Sequence, residues 1–330
     1  MSKKKKLPFW LALALAIVLI VLLLIVGMMG ADRDEQQIHK APVDIVYEEV
    51  MPPAQPPPTV ESVPEVVPEI QPELSLEPAP EVILPAPPAF VSGTGIALVL
   101  DDVGYDLHAL KRFLDLSVPV AISVLPGAPF AAQSATLAHQ HGQIVMLHLP
   151  MEPTVPRYQK RMTDTFLRAD MTERELRQTF NRDLDHVPYV EGVNNHMGSR
   201  LTQLQEPMRW VMRLCREKGL FFVDSKTSST SVAAGLASSM GVAWASRRFF
   251  LDHQLDEQAM LQAWNNARTC AVKGYRCIVI AHPHEETITF LEKHLTRDDM
   301  AHMLPVKSLL RLAPLRLQQA QEDNVMDQHL

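Results

Sequence analysis

The sequence predicts an α/β domain built on a parallel sheet, and three observations predict it. From about Gly93 onward, short apolar runs rich in β-branched residues alternate with longer amphipathic stretches, about seven times over. This region is roughly 225 residues long, a length that one α/β barrel fills without a second domain. Polar and titratable residues follow most of the apolar runs directly, and the C-terminal ends of parallel strands are where such sheets carry their functional groups.

The chain of 330 residues opens with Lys3, Lys4, Lys5 and Lys6, then an uncharged run from Leu7 to Ala31. That run exceeds the roughly 20 apolar residues that cross a bilayer as a helix. It also exceeds the core of about 7–15 residues typical of a signal peptide. Residues 1–31 are therefore read as a cytoplasmic lysine cluster and a transmembrane anchor, the alternative being a long cleaved signal peptide. Both readings export the remainder. The expected location is the inner (cytoplasmic) membrane, single-pass, with the C-terminal domain on the periplasmic side.

Residues 32–92 read as a Pro/Glu-rich linker. More than half of the chain's 26 prolines fall within 41–90, together with nine acidic residues and no Lys or Arg. Glu61, Glu65, Glu69, Glu73, Glu77 and Glu81 recur every four residues, a helical spacing that Pro64, Pro68 and Pro72 forbid. Such a composition favours an extended chain.

Within 93–318 the expected strands are Ile96–Leu100, Val120–Val124, Ile144–Leu147, Gly192–Val193 into Asn194, Phe221–Val223, Val242–Trp244 and Cys277–Ala281. The expected helices are Leu107–Leu116, Pro129–His141, Thr172–His186, Pro207–Lys218, Ser231–Met240 and Leu255–Val272. Residues 319–330 read as a polar tail. Of the three cysteines, Cys215 falls in a helical pattern as a small buried residue. Cys270 and Cys277 are close enough to pair in an oxidising compartment; otherwise they are two thiols.

Several function classes are excluded. The formal net charge is -7 and no basic stripe is present, so no nucleic-acid partner is expected. There is no P-loop, Gly93 and Gly95 precede a strand rather than follow one, and neither Gly-x-Ser-x-Gly nor His-Glu-x-x-His occurs. No nucleotide partner is expected either.

The strand ends carry the chemistry instead. Asp101 and Asp102 follow the first strand; adjacent buried carboxylates repel, and a bound cation relieves that cost. Their bland alternative is solvation beside a helix capped by Asp106. His148 and Glu152 follow the third strand. Asn194, Asn195, His196 and Arg200 cluster after the fourth, too polar a group for packing alone. Asp224, Ser225 and Lys226 end the fifth strand, as a site or as a surface ion pair. Asp252 and His253 form a weaker candidate. His282 and His284 end the last strand and hint at metal binding or acid–base work.

Taken as a set, Ile96–Gly104, Asn194–Arg200, Phe222–Ser225 and Ala281–His284 resemble the divergent polysaccharide deacetylases, a branch of the NodB-like carbohydrate esterases. The resemblance runs from about Gly93 to Leu317. It implies a distorted (β/α) barrel of six or seven units and one divalent metal, Zn²⁺ by preference. It implies metal-dependent removal of N- or O-acetyl groups from an envelope polysaccharide or glycan. The family's Asp-Asp pair maps onto Asp101 as general base and Asp102 as metal ligand. His148 matches the first histidine of the second motif, and Glu152 stands where a second histidine is usual. His196 is the best replacement ligand, with Glu152 or His284 behind it. Ile280-Ala281-His282 approximates the final motif, making His282 the general acid. Arg200, Asn195 and Asp224 are the expected substrate-binding residues. The alternative is a non-catalytic envelope module that binds glycan or protein.

Overall fold

The computed structural model describes residues 93–312. The expected anchor, linker and tail lie outside the described residues, as do the last six residues of the expected domain. No helix among the described residues is long and apolar enough to cross a membrane.

Seven parallel strands close into a barrel in sequence order: β1 Gly95–Val103, β2 Val120–Val124, β3 Ile144–Met151, β4 Val190–Met197, β5 Phe221–Asp224, β6 Trp244–Phe250 and β7 Arg276–Ala281. β7 pairs with β1 to complete the closure. The expected helices occupy the connections, at Leu107–Asp115, Ala131–Gln140, Glu173–Asp185, Gln205–Glu217, Ala233–Ser239 and Glu257–Val272. Their starts follow local chemistry. Asp106 Oδ1 caps the first by accepting from the His108 and Ala109 amides, and Thr172 forms a reciprocal capping box with Glu175. Beyond β7 the chain adds helices Glu285–His294 and Arg297–His302.

Side chains alternate across the barrel wall with period two. Ala97, Val99, Ala121, Met146, Phe221, Val223, Ala245, Ile278 and Ile280 form one buried cluster, which the 3₁₀ segment Val306–Leu309 joins with Val306 and Leu309. Leu98, Leu100, Ile122, Leu147, Phe222 and Val279 belong to the larger cluster beneath the helices. Gly192 leaves room for this packing: a Cβ there would come within 2.3 Å of the Phe221 ring.

Two differences from the sequence expectation matter for function. The first, third and fourth strands run past their apolar cores and take Asp101, Asp102, His148 and Asn194–His196 into the ladder. The sixth strand begins at Trp244, where the expectation ended it, and continues through Ser246, Arg247 and Arg248. That strand is half-buried along most of its length, so its polar residues do not oppose strand pairing. Cys270 and Cys277 are joined as a disulfide, and Cys215 is a buried free thiol.

Candidate metal centre and acid–base pair

The mouth of the barrel is built from the last residues of its strands. On a regular strand Asp101 and Asp102 would face opposite sides. The β1–β2 register slips between Leu100 and Val103, and Asp102 adopts a left-handed φ of 56°. This irregularity brings Asp102 into the histidine cluster although Asp101 already faces the barrel interior. Gly104 follows with φ 128°, where a Cβ would lie 2.5 Å from the Ala128 Cβ, so the turn after β1 needs glycine twice over.

Three buried donor atoms converge. Asp102 Oδ1 lies 3.2 Å from His148 Nε2 and 3.0 Å from His196 Nδ1, and the two imidazole nitrogens are 3.1 Å apart. Two ligands held about 2.0–2.1 Å from one Zn²⁺ at a tetrahedral angle are separated by roughly 3.3 Å. One carboxylate and two imidazoles in a triangle of this size therefore fit a single divalent cation. Glu152 does not join them.

Asn194 ties the triangle to Asp101. Its Oδ1 accepts from Ser123 Oγ and lies 2.9 Å from His148 Nδ1. Only an Nδ1–H tautomer of His148 satisfies that contact, and this leaves the Nε2 lone pair aimed at the triangle. The Asn194 Nδ2 donates to Asp101 Oδ1 at 2.7 Å. Asp101 is fully buried, and its carboxylate lies 3.8 Å from His148 Nδ1.

On the other side of Asp101 stands His282. The β1–β7 register pairs Leu100 with Ala281, so Asp101 and His282 come next along neighbouring strands. The His282 amide donates to Asp252 Oδ2 at 2.6 Å, and its Nδ1 lies 3.0 Å from Asp252 Oδ1. Thr287 Oγ1 also donates to Asp252 Oδ2, at 2.8 Å. The carboxylate thus orients the imidazole with Nε2 as its other functional atom. Asp252, His282 and exposed His284 bring donor atoms within 4.8 Å of one another. The direct Asp252–His282 contacts suit an acid–base pair better than a second cation.

The remaining expected residues are placed as follows. Asn195 points away from Asn194: its Nδ2 donates to the Met197 carbonyl at 2.7 Å and its Oδ1 accepts from the Ser225 amide at 2.9 Å. Asp224 is buried, accepting from the Lys226 amide and from Ser231 Oγ, each at 2.9 Å, with Lys226 Nζ at 3.4 Å. Both hold the loops after β4 and β5. Arg200 is half-exposed, and its Nη1 donates to Glu152 Oε1 at 2.7 Å. Glu152 Oε2 accepts from the Ala169 amide at 2.7 Å. The residue in the place of the family's second histidine is therefore a clasp between two loops.

Beside the triangle a cleft of about 180 Å³ opens between Tyr105 and Phe166, with Pro150 and His196 among its lining. Burial raises the Tyr105 phenol above its ordinary range, and the Asp102 charge adds to this. The Phe166 ring meets the His196 ring edge-on, 6.1 Å between centroids.

Sequence reasoning underrated Asp252 and passed over Arg247. Arg247 donates to the Ser225 and Lys226 carbonyls, and its guanidinium lies 5.1 Å from the Phe250 ring, which faces His282 at 5.0 Å. A strand set later in the sequence, at Trp244–Phe250, would have placed Arg247 within it and Asp252 just past its end.

Residues 98–310 match the family described as divergent polysaccharide deacetylase. The Escherichia coli protein YibQ is 33% identical over 228 residues, 69% of each chain. A Haemophilus influenzae protein is 31% identical over 200 residues, 61% of this chain and 70% of that one. The crystal structure of ATU2773 from Agrobacterium tumefaciens C58 shares the fold, with a TM-score of 0.61 at 21% identity, covering 68% of this chain and 92% of that one.

Proposed function

From the premise that the chain belongs to the divergent polysaccharide deacetylase family, we propose that it is a metal-dependent deacetylase of an envelope polysaccharide, of the NodB-like esterase type. The observation that carries this is the buried Asp102–His148–His196 triangle beside Asp101. These three side chains would hold one divalent metal, Zn²⁺ by ligand type. When bound, it would act as a Lewis acid on the acetyl carbonyl. Asp101 would take the proton of the attacking water, its carboxylate held by the Asn194 amide. As water oxygen bonds to the carbonyl carbon, the C–N or C–O bond to the sugar breaks. His282, oriented by Asp252, would hand a proton from Nε2 to the departing amine or alkoxide. The cleft between Tyr105 and Phe166 would receive the sugar or its acetyl group, with Arg200 at hand for an anionic substituent.

The Glu152 position, considered alone, favours a module that has lost catalysis. His196 supplies a third donor from the next strand and restores the case for an enzyme. The Cys270–Cys277 disulfide supports an oxidising compartment. With the lysine-flanked apolar run it supports a domain tethered to the inner membrane and facing the periplasm.

The test is metal content and acetate release for Asp101→Asn and Asp102→Asn side by side. Asp102→Asn should lose metal, because an amide is a poorer ligand than a carboxylate. Asp101→Asn should keep it and lose about 10²–10⁴-fold in turnover. Full metal retention and unchanged acetate release in both variants would overturn the proposal.

A further inference from the structure

The base of the barrel, opposite the polar mouth, concentrates positive charge in a chain of formal net charge -7. β6 and β7 first pair at Arg247 and Ile278. Below that level their residues find partners elsewhere. Trp244, Ala245 and Ser246 pair with β5, while Arg276 and Cys277 pair with β1. The seam between the two strands is open there, and Arg311 closes it by exchanging two main-chain hydrogen bonds with Trp244, 2.9 and 2.7 Å long. A pocket of about 280 Å³ lies in this seam.

Arg248, Arg276, Arg311 and Trp244 line the pocket, and no Asp or Glu does. Among the described residues no carboxylate pairs with any of the three arginines. Each is held by something uncharged. The Arg248 guanidinium lies 4.9 Å from the Tyr275 ring, the Arg311 guanidinium 5.4 Å from the Trp244 ring, and Arg276 Nε donates to the Gly93 carbonyl at 3.4 Å. Arg247 also borders the pocket, but its guanidinium donates to the Ser225 and Lys226 carbonyls. Cations gathered without a counter-charge among the described residues repel one another. One anionic, oxygen-rich ligand relieves that repulsion.

We propose that this pocket binds a phosphate ester group, either free or displayed as the headgroup of an anionic lipid. Guanidinium forks match phosphate oxygens, and a phosphate offers enough acceptors for three arginines together. A carboxylate offers two oxygens and a single charge. The volume suits a group of about the size of glycerol phosphate and excludes a large glycan. The chain enters the barrel at this same end: the Gly93 amide donates to the Ser308 carbonyl at 2.8 Å. A lipid headgroup held here would point the polar mouth away from the bilayer.

The experiment uses the full chain in a non-ionic detergent, titrated calorimetrically at low salt. The probes are inorganic phosphate, glycerol phosphate, dihexanoyl phosphatidylglycerol and acetate. Phosphate-bearing probes should bind saturably, and acetate at least tenfold more weakly. Arg276→Gln and Arg311→Gln should each weaken binding about tenfold or more, the worth of one charge-assisted bond. Arg276→Lys and Arg311→Lys, which keep the charge and protect against misfolding, should lose less. Asp102→Ala should leave the arginine-dependent binding unchanged, which separates this pocket from the mouth. Phosphatidylglycerol binding more tightly than glycerol phosphate assigns the lipid headgroup; equal affinities assign the free ester. The proposal is overturned by the absence of saturable phosphate binding. It is equally overturned if binding disappears with Asp102→Ala but survives the arginine variants.

Discussion

Replacing Asn194 in two ways separates holding the metal from activating water. Asn194 presents Oδ1 to His148 Nδ1 at 2.9 Å and Nδ2 to Asp101 Oδ1 at 2.7 Å. Asn194→Leu removes both contacts at similar volume. His148 then loses the acceptor that fixes its tautomer, a change that typically costs 10–100-fold in metal affinity, or about 1.4–2.7 kcal/mol. Asn194→Asp keeps an acceptor for His148 and places a second carboxylate against Asp101. Two carboxylates at that distance cannot both ionise, so one proton is shared between them. The Asp variant should therefore hold metal at least as well as the parent and lose about 10²–10⁴-fold in turnover at neutral pH. Its activity should recover partly as pH rises and the shared proton leaves. The assay pairs competition against a chelating dye with acetate release measured from pH 5 to 9. Equal loss of metal in both variants would show that Asn194 only fills space. Undiminished turnover at neutral pH in the Asp variant would remove Asp101 from the role of base.

Two predictions concern stability. Asp183 is fully buried on the helix Glu173–Asp185, and burial pushes its carboxyl up to about 8. Its unfolded value is near 4, so the folded state binds the extra proton between pH 4 and 8 and stability falls across that window, by up to the order of 5 kcal/mol. Below pH 4 the group contributes nothing and above pH 8 the loss is complete. Asp183→Asn should remove this slope, read as a melting-temperature gap between variant and parent that widens from pH 4 to pH 8; a constant gap would refute the assignment. The Cys270–Cys277 bridge spans seven positions, and loop-closure entropy gives a bridge of that length about 2–3 kcal/mol. Cys270→Ser with Cys277→Ser should lower the urea midpoint accordingly, and reductant should reproduce the shift in the parent alone.

The fold was legible where apolar runs were clean. Val120–Val124 is the whole of β2, and the cores of β1, β3 and β7 are continuous aliphatic segments that parallel strands buried on both faces require. β6 was displaced because Ser246, Arg247 and Arg248 interrupt its pattern, and a half-buried strand flanking an open seam gives no strong periodicity. That displacement also left Asp252 a weaker candidate, because its partner His282 lies 30 residues away in sequence.

The site was legible by residue type and obscure by direction. Asn194 and Asn195 are chemically identical neighbours, yet one bridges Asp101 to His148 and the other ties down a loop. Only the strand register distinguishes them, and one step of slippage would exchange their roles. Asp101 and Asp102 illustrate the converse. Regular alternation would send Asp102 away from the cluster that Asp101 adjoins, and the irregularity after Leu100 brings it back. Glu152 and His196 complete the argument. A motif compared position by position reports a lost ligand at 152. The β3–β4 register pairs Pro150 with His196 and so delivers an imidazole from the neighbouring strand to the triangle. A metal centre answers to where donor atoms meet, and in a closed barrel that place can be supplied from whichever strand lies alongside.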